Sequence, residues 1–119
     1  MNIGIIGTGN MGNILIDAFL ETRAVKPSCL TIINRTPAKA YHIKEKYPSV
    51  HIAKTIPEVI EQSQLIFICV KPIDIYPILK KYAEHFSDET CLVSITSPIS
   101  PSQLETLVPC HVARIIPSI

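Results

Sequence analysis

The chain has 119 residues, 47% of them hydrophobic and 18% charged, with 11 basic side chains against 10 acidic ones. That length accommodates one domain, and the apolar share is too high for a disordered segment. A net charge of +1, with only three arginines and no basic block, argues against nucleic acid or an anionic membrane as the principal partner.

The longest apolar run, Leu65 to Val70, has six residues. A membrane-spanning helix needs about 20. Ten prolines scattered along the chain exclude a long coiled coil. Met1 and Asn2 lead directly into an Ile-Gly-Ile-Ile-Gly run, with no basic flank and no cleavage pattern, so the chain reads as cytoplasmic. Cys29, Cys69, Cys91 and Cys110 form no C-x-x-C, and each lies in or beside an apolar run. They read as buried free thiols in a reducing compartment. His42, His51, His85 and His111 are equally dispersed, and no metal-ligand spacing is visible.

In chain order, short apolar runs alternate with longer amphipathic stretches. Ile3–Ile6 predicts a first strand. Asn10 to Thr22 predicts a helix with Met11, Ile14, Leu15, Ala18 and Phe19 on its apolar face. Leu30–Ile33 predicts a second strand, followed by a helix from Pro37 to Tyr47 with Thr36 at its N-cap. The cations of that helix, Lys39 among them, read as a solvated face. A weak strand around His51–Ala53 precedes a short helix from Pro57 to Gln62. Leu65–Val70 is the fourth strand, and Pro72 to His85 the next helix, its first turns limited by Pro77. Cys91–Ile95, a short helix over Ser102–Leu107 and Val112–Ile116 complete the series.

Strand runs rich in Ile and Val and mostly lacking alternation fit a parallel sheet covered on both faces. Short connections then predict right-handed βαβ units. The expected fold is α/β, a Rossmann-type doubly wound parallel sheet of about six strands in the order 3-2-1-4-5-6.

Gly7-Thr8-Gly9-Asn10-Met11-Gly12 is a G-x-G-x-x-G that follows a strand and opens a helix. Gly7 suits the tight turn, Gly9 the approach of a pyrophosphate, and Gly12 the packing of helix on strand. The unpaired amides of the first helical turn and the helix dipole favour the anion. An NAD site carries an acid about 20 residues past the glycines. Asn34-Arg35-Thr36 stands there instead. Arg35 suits a 2′-phosphate, which favours NADP over NAD (NADPH over NADH); as a bare surface cation it carries no such meaning. Cys69-Val70-Lys71-Pro72, at the end of the fourth strand, reads either as the nicotinamide side of the same site or as a strand end with a helix-starting proline. Thr96 and Ser97 lie on the same rim after the fifth strand. No nucleophile–base pair or paired carboxylates accompany them, so any chemistry belongs to the cofactor.

Taken together, Gly7–Gly12, Asn34-Arg35-Thr36, Val70-Lys71-Pro72, Ser94-Ile95 and Arg114-Ile115-Ile116-Pro117 resemble pyrroline-5-carboxylate reductase in order and spacing. They also resemble a reductase-like branch of that family from bacterial late-competence operons. The resemblance covers the whole chain, residues 1–119, as the NAD(P)-binding domain. It implies that a helical carboxy-terminal domain follows, forming a homodimer or larger assembly and most of the pocket for a small-molecule imine. The implied activity is hydride transfer from NADPH to pyrroline-5-carboxylate, giving proline, with no catalytic residue in this chain. Three departures stand out: Ser97-Pro98-Ile99 where the family has Ala-Gly-Ile, Ile116-Pro117-Ser118 for Met-Pro-Asn, and Ile56 for an Asn near the adenosine. They keep open a catalytically silent nucleotide sensor or scaffold, and the related β-hydroxyacid dehydrogenases are a further alternative.

Overall fold

The computed structural model describes residues 1–7, 10–95 and 101–114, with the side chains of Asn10, Met11, Pro37, Pro72, Pro101, Ser102 and Arg114 outside that description. The strands are β1 (Ile3–Ile6), β2 (Leu30–Ile33), β3 (His51–Ile52), β4 (Leu65–Ile68), β5 (Cys91–Ser94) and β6 (His111–Arg114). The helices are α1 (Asn10–Glu21), α2 (Pro37–Lys46), α3 (Ile56–Gln62), α4 (Pro72–Tyr82) and α5 (Pro101–Glu105). The six strands form one sheet in the order β3-β2-β1-β4-β5-β6, and every pairing is parallel. The doubly wound fold read from the sequence is the fold observed.

Alternation along the strands divides the core in two. Ile5, Ile32, Phe67 and Val93 pack under α1 and α2 with Ile16, Leu20, Ala40 and Ile43. Ile6, Ile66, Ile68 and Leu92 face the opposite way, against Val59, Ile60, Ile75, Leu79 and Leu104 from α3, α4 and α5. Because side chains point to opposite sides at each step, a strand covered on both faces must be apolar at nearly every position. After β3 the chain crosses back over the sheet through α3 and enters β4 beside β1. The strand order therefore reverses between β1 and β4, and the connections leaving their carboxyl ends run to opposite faces of the sheet.

Several local expectations differ from the structure. In α1 the buried stripe is Gly12, Ile16 and Leu20, whereas Ile14 is 52% exposed and Ala18 is also exposed. Gly12 is the residue pressed against the strand, so the positions four and eight residues later share its face. Helix α4 runs through Pro77 without interruption and passes into a 3-10 turn at Ala83–His85. Pro77 lacks an amide for the carbonyl of Ile73, but both residues are exposed and water can serve that carbonyl. β4 stops at Ile68, so Cys69 and Val70 belong to the loop. All four cysteines are free, yet only Cys110 is fully buried; Cys29, Cys69 and Cys91 are half-buried at element ends. Ile115 and Ile116, read as the end of the sixth strand, lie outside the described residues, as does Ile95's successor segment Thr96 to Ser100.

Candidate functional site

At the switch point a cleft of about 540 Å³ opens over the carboxyl ends of β1, β2 and β4. Its rim is set by backbone hydrogen bonds that continue the ladder one residue past the strands. The Gly7 amide donates to the Ile33 carbonyl at 2.8 Å, and the Cys69 amide to the Ile6 carbonyl at 2.8 Å. Gly7 then turns with φ of +87°, in the left-handed region that glycine adopts without strain. A Cβ at Gly7 would lie 2.7 Å from Val70 Cγ1, and one at Gly12 would lie 2.8 Å from the Gly7 carbonyl oxygen. Side chains at these two positions would therefore push α1 and the β4 loop away from the turn. The turn and helix packing assigned to Gly7 and Gly12 have this geometry. No acid stands in the first turn of α1 to offset the positive end of the helix.

The β2 loop forms one wall. Asn34 Nδ2 donates to the Thr36 carbonyl at 3.0 Å, folding the loop back onto itself. Thr36 occupies the N-cap of α2, but its hydroxyl makes no capping hydrogen bond. Arg35 reaches over the cleft, its side chain 83% exposed, and Nη2 lies 3.3 Å from Oδ1 of Asp74 on α4. The β4 loop forms the facing wall through Cys69, Val70 and Lys71. Burial pushes the Cys69 thiol up to about 12, so it stays protonated and unreactive at neutral pH. Lys71 is exposed at the N-cap of α4.

Of the residues singled out from the sequence, Gly7, Asn34, Arg35, Thr36, Cys69, Val70 and Lys71 border this one cleft. Gly12 instead supports it from behind. Asn10 and Met11 open α1 and Pro72 opens α4, with their side chains not described. Thr8, Gly9, Thr96 and Ser97 lie outside the described residues, and so do Pro98, Pro117 and Ser118. Three wall residues were not anticipated as such. Lys39, read as part of a solvated face, lines the cleft because it follows Arg35 by four residues, one turn into α2. Asp74 and Ile78 come from α4, and no local pattern announces them. Ile56, noted as a departure from the family pattern, contributes apolar surface. Among the described residues, no cluster of three metal-ligating side chains occurs, and no helix is long and apolar enough to cross a membrane.

The model of a family described as NADP oxidoreductase coenzyme F420-dependent matches residues 2–98. The chain belongs to that family. It is 51% identical to ComE operon protein 4 of Bacillus subtilis, over 100% of this chain and 44% of that protein. It is 33% identical to pyrroline-5-carboxylate reductase 3 of Danio rerio, over 100% of this chain and 41% of the relative. A pyrroline-5-carboxylate reductase from Coxiella burnetii has the same fold, with a TM-score of 0.87 at 21% identity, over 95% of this chain and 42% of that one. The resemblance read from the motifs, to pyrroline-5-carboxylate reductases and a competence-operon paralogue, is thus borne out. The chain spans less than half the length of each of those three relatives.

Proposed function

We propose that the chain is the NADP(H)-binding domain of an imine reductase acting on pyrroline-5-carboxylate or a similar cyclic imine. The observation that carries the reading is the pair of cations, Arg35 and Lys39, on the wall where an NAD site would place an acid. Arg35 and Lys39 would hold the 2′-phosphate, with the Thr36 hydroxyl as a further partner. The amides opening α1, from Asn10 onward, would hold the pyrophosphate. Val70, Lys71 and the Cys69 backbone would border the nicotinamide ribose, with Ser97 and Pro72 beside them. The reduced nicotinamide, when bound, supplies a hydride. The chain's own part is to orient the cofactor, and no residue in it is assigned as catalytic acid. Residues 1–119 then form one domain, and the substrate pocket and a homodimer contact would come from a helical domain beyond it.

Titration of the protein with NADPH and NADH tests the reading. Binding of NADPH about tenfold tighter than NADH is expected, because one good charged contact is worth about that factor. Arg35→Ala should abolish the preference and leave NADH within about threefold. Equal affinities, indifferent to Arg35, would overturn the 2′-phosphate assignment. Turnover of pyrroline-5-carboxylate by the complete protein tests the reaction. Tight NADPH binding without turnover of cyclic imines would replace the reductase with a nucleotide sensor, a reading to which the apolar Ile56 wall lends itself.

A further inference from the structure

Among the described residues lining the cleft, Asp74 is the only acid. It comes from the first turn of α4, remote in sequence from the β2 loop, and reaches the cleft through the β1–β4 switch point. Its Oδ1 takes a single contact from Arg35 Nη2 at 3.3 Å, between a side chain 83% exposed and one 28% exposed. Charge-assisted pairs with good geometry close to about 2.7–2.9 Å. This pair is therefore a loose tether, not a locked bridge, and a pair whose cation lies in solvent is readily exchanged. A phosphate monoester is close to a dianion at neutral pH and offers the guanidinium a bidentate partner, so it outcompetes a lone carboxylate oxygen.

We propose that Asp74 determines cofactor specificity by holding Arg35 as a counter-ion, which the 2′-phosphate of the dinucleotide must displace. A dinucleotide with a free 2′-hydroxyl leaves the Arg35–Asp74 pair in place and loses nothing by it. A 2′-phosphorylated one must take Arg35 away and leave Asp74 without its counter-ion. The carboxylate thus narrows the preference that Arg35 and Lys39 create, and it does so through Arg35 as a positioning residue. The proposal rests on the reading of the cleft as a site for a 2′-phosphorylated dinucleotide.

Asp74 also sits where an acid favours the positive end of α4, so its replacement lowers stability somewhat whatever its role in the cleft. The ratio of the two affinities separates these roles, because a loss of helix stability moves both nucleotides together. NADPH and NADH are titrated by calorimetry into the protein, Asp74→Asn, Arg35→Ala and the double variant, with Asp74→Glu as a charge-conserving control. Asp74→Asn should tighten NADPH about three- to tenfold while NADH stays within about twofold, and Asp74→Glu should resemble the parent. In the Arg35→Ala background the gain should fall below about twofold. If NADPH binding depends on Arg35 but Asp74→Asn leaves the ratio unchanged, the cofactor reading stands and the tether is overturned. An equal gain without Arg35 would also overturn it, since Asp74 would then act on the phosphate directly. Failure of every variant to bind either nucleotide would overturn both.

Discussion

The two ends of the sheet treat their polar groups in opposite ways. At the carboxyl ends of β1, β2 and β4, Arg35, Lys39, Lys71 and Asp74 surround a cleft of about 540 Å³. At the amino ends a smaller hollow of about 270 Å³ is lined by Glu61, Ser63, Gln64, His85, Ser87 and Thr90, among others. Most of those groups satisfy one another or the backbone. His85 Nδ1 lies 3.3 Å from Glu61 Oε1, the Ser87 and Thr90 hydroxyls are 3.1 Å apart, and Gln64 Oε1 accepts from the Asn2 amide at 2.6 Å. In a parallel sheet each helix begins over the carboxyl ends of the strands, so amide donors and positive helix ends gather there. The opposite end receives helix carboxyl termini and closes on itself. The comparison implies that substitutions at the amino end alter stability alone, whereas those at the carboxyl end alter binding.

The hardest test of that separation is Gly4, on β1 beneath α3. A Cβ there would lie 2.5 Å from Ser63 Oγ and 2.6 Å from Val59 Cγ1, the one at the C-cap of α3 and the other within that helix. Val59 is fully buried, so the contact cannot relax into solvent. Gly4→Ala should cost about 1–3 kcal/mol, and Gly4→Val more than that, read from urea unfolding midpoints. Nucleotide affinity of the protein that remains folded should be unchanged. A folded Gly4→Val variant with weakened NADPH binding would show that the two ends are coupled through β1.

How far each end was legible follows the same division. β1 and β2 were read to the residue because Ile3–Ile6 and Leu30–Ile33 are short runs dominated by Ile and Leu that end at Gly7 and Asn34. The glycine turn and Asn34-Arg35-Thr36 were legible because each is a contiguous motif tied to a strand end. Asp74 was not, because it becomes part of the cleft only when β4 is placed beside β1. Lys39 carried a weak signal, its spacing from Arg35, which was outweighed by the ordinary look of a charged helix face. The stripe of α1 was misread by one position because Gly12, with no side chain, gives no hydrophobic signal and yet sets the buried face. The amino-end hollow left no mark in the sequence, since its residues come from loops and helix ends with no shared pattern.

At the carboxyl end, Cys69 offers an alkaline test. Its folded value is raised to about 12 by burial, whereas an unfolded thiol ionises near about 8.5. Below pH 8.5 both states hold the proton and the thiol adds no pH dependence. Above it the unfolded chain loses its proton first, so the folded state is the more protonated one and stability falls as pH rises toward 12. The slope from one such thiol approaches about 1.4 kcal/mol per pH unit, or on the order of 1–2 kcal/mol by pH 10. Cys110, raised to about 11 chiefly by burial, acts in the same sense. Unfolding midpoints of Cys69→Ala against the parent should diverge above pH 9 and stay parallel below it. Parallel curves throughout would mean that the Cys69 thiol titrates normally, and that the cleft floor is wetter than its apolar lining implies.

The smallest expected effect lies at the amino end and carries the opposite sign. Ser63 is 5% exposed, and its buried Oγ has no hydrogen-bond partner among the described residues. It is thus an exception among the mutually satisfied groups around it. A hydroxyl denied both water and partner is a liability, whereas a methyl in the same place loses nothing and keeps the contact with Gly4. Ser63→Ala should therefore leave stability unchanged or raise it by up to about 1 kcal/mol, measured by the shift in urea midpoint at constant m-value. NADPH affinity should not move, since the side chain lies at the far end of β1 from the cleft. A loss of more than about 1 kcal/mol would mean that the hydroxyl is bonded in solution. The hollow would then be a hydrated polar site, not the closed end that its other hydrogen bonds describe.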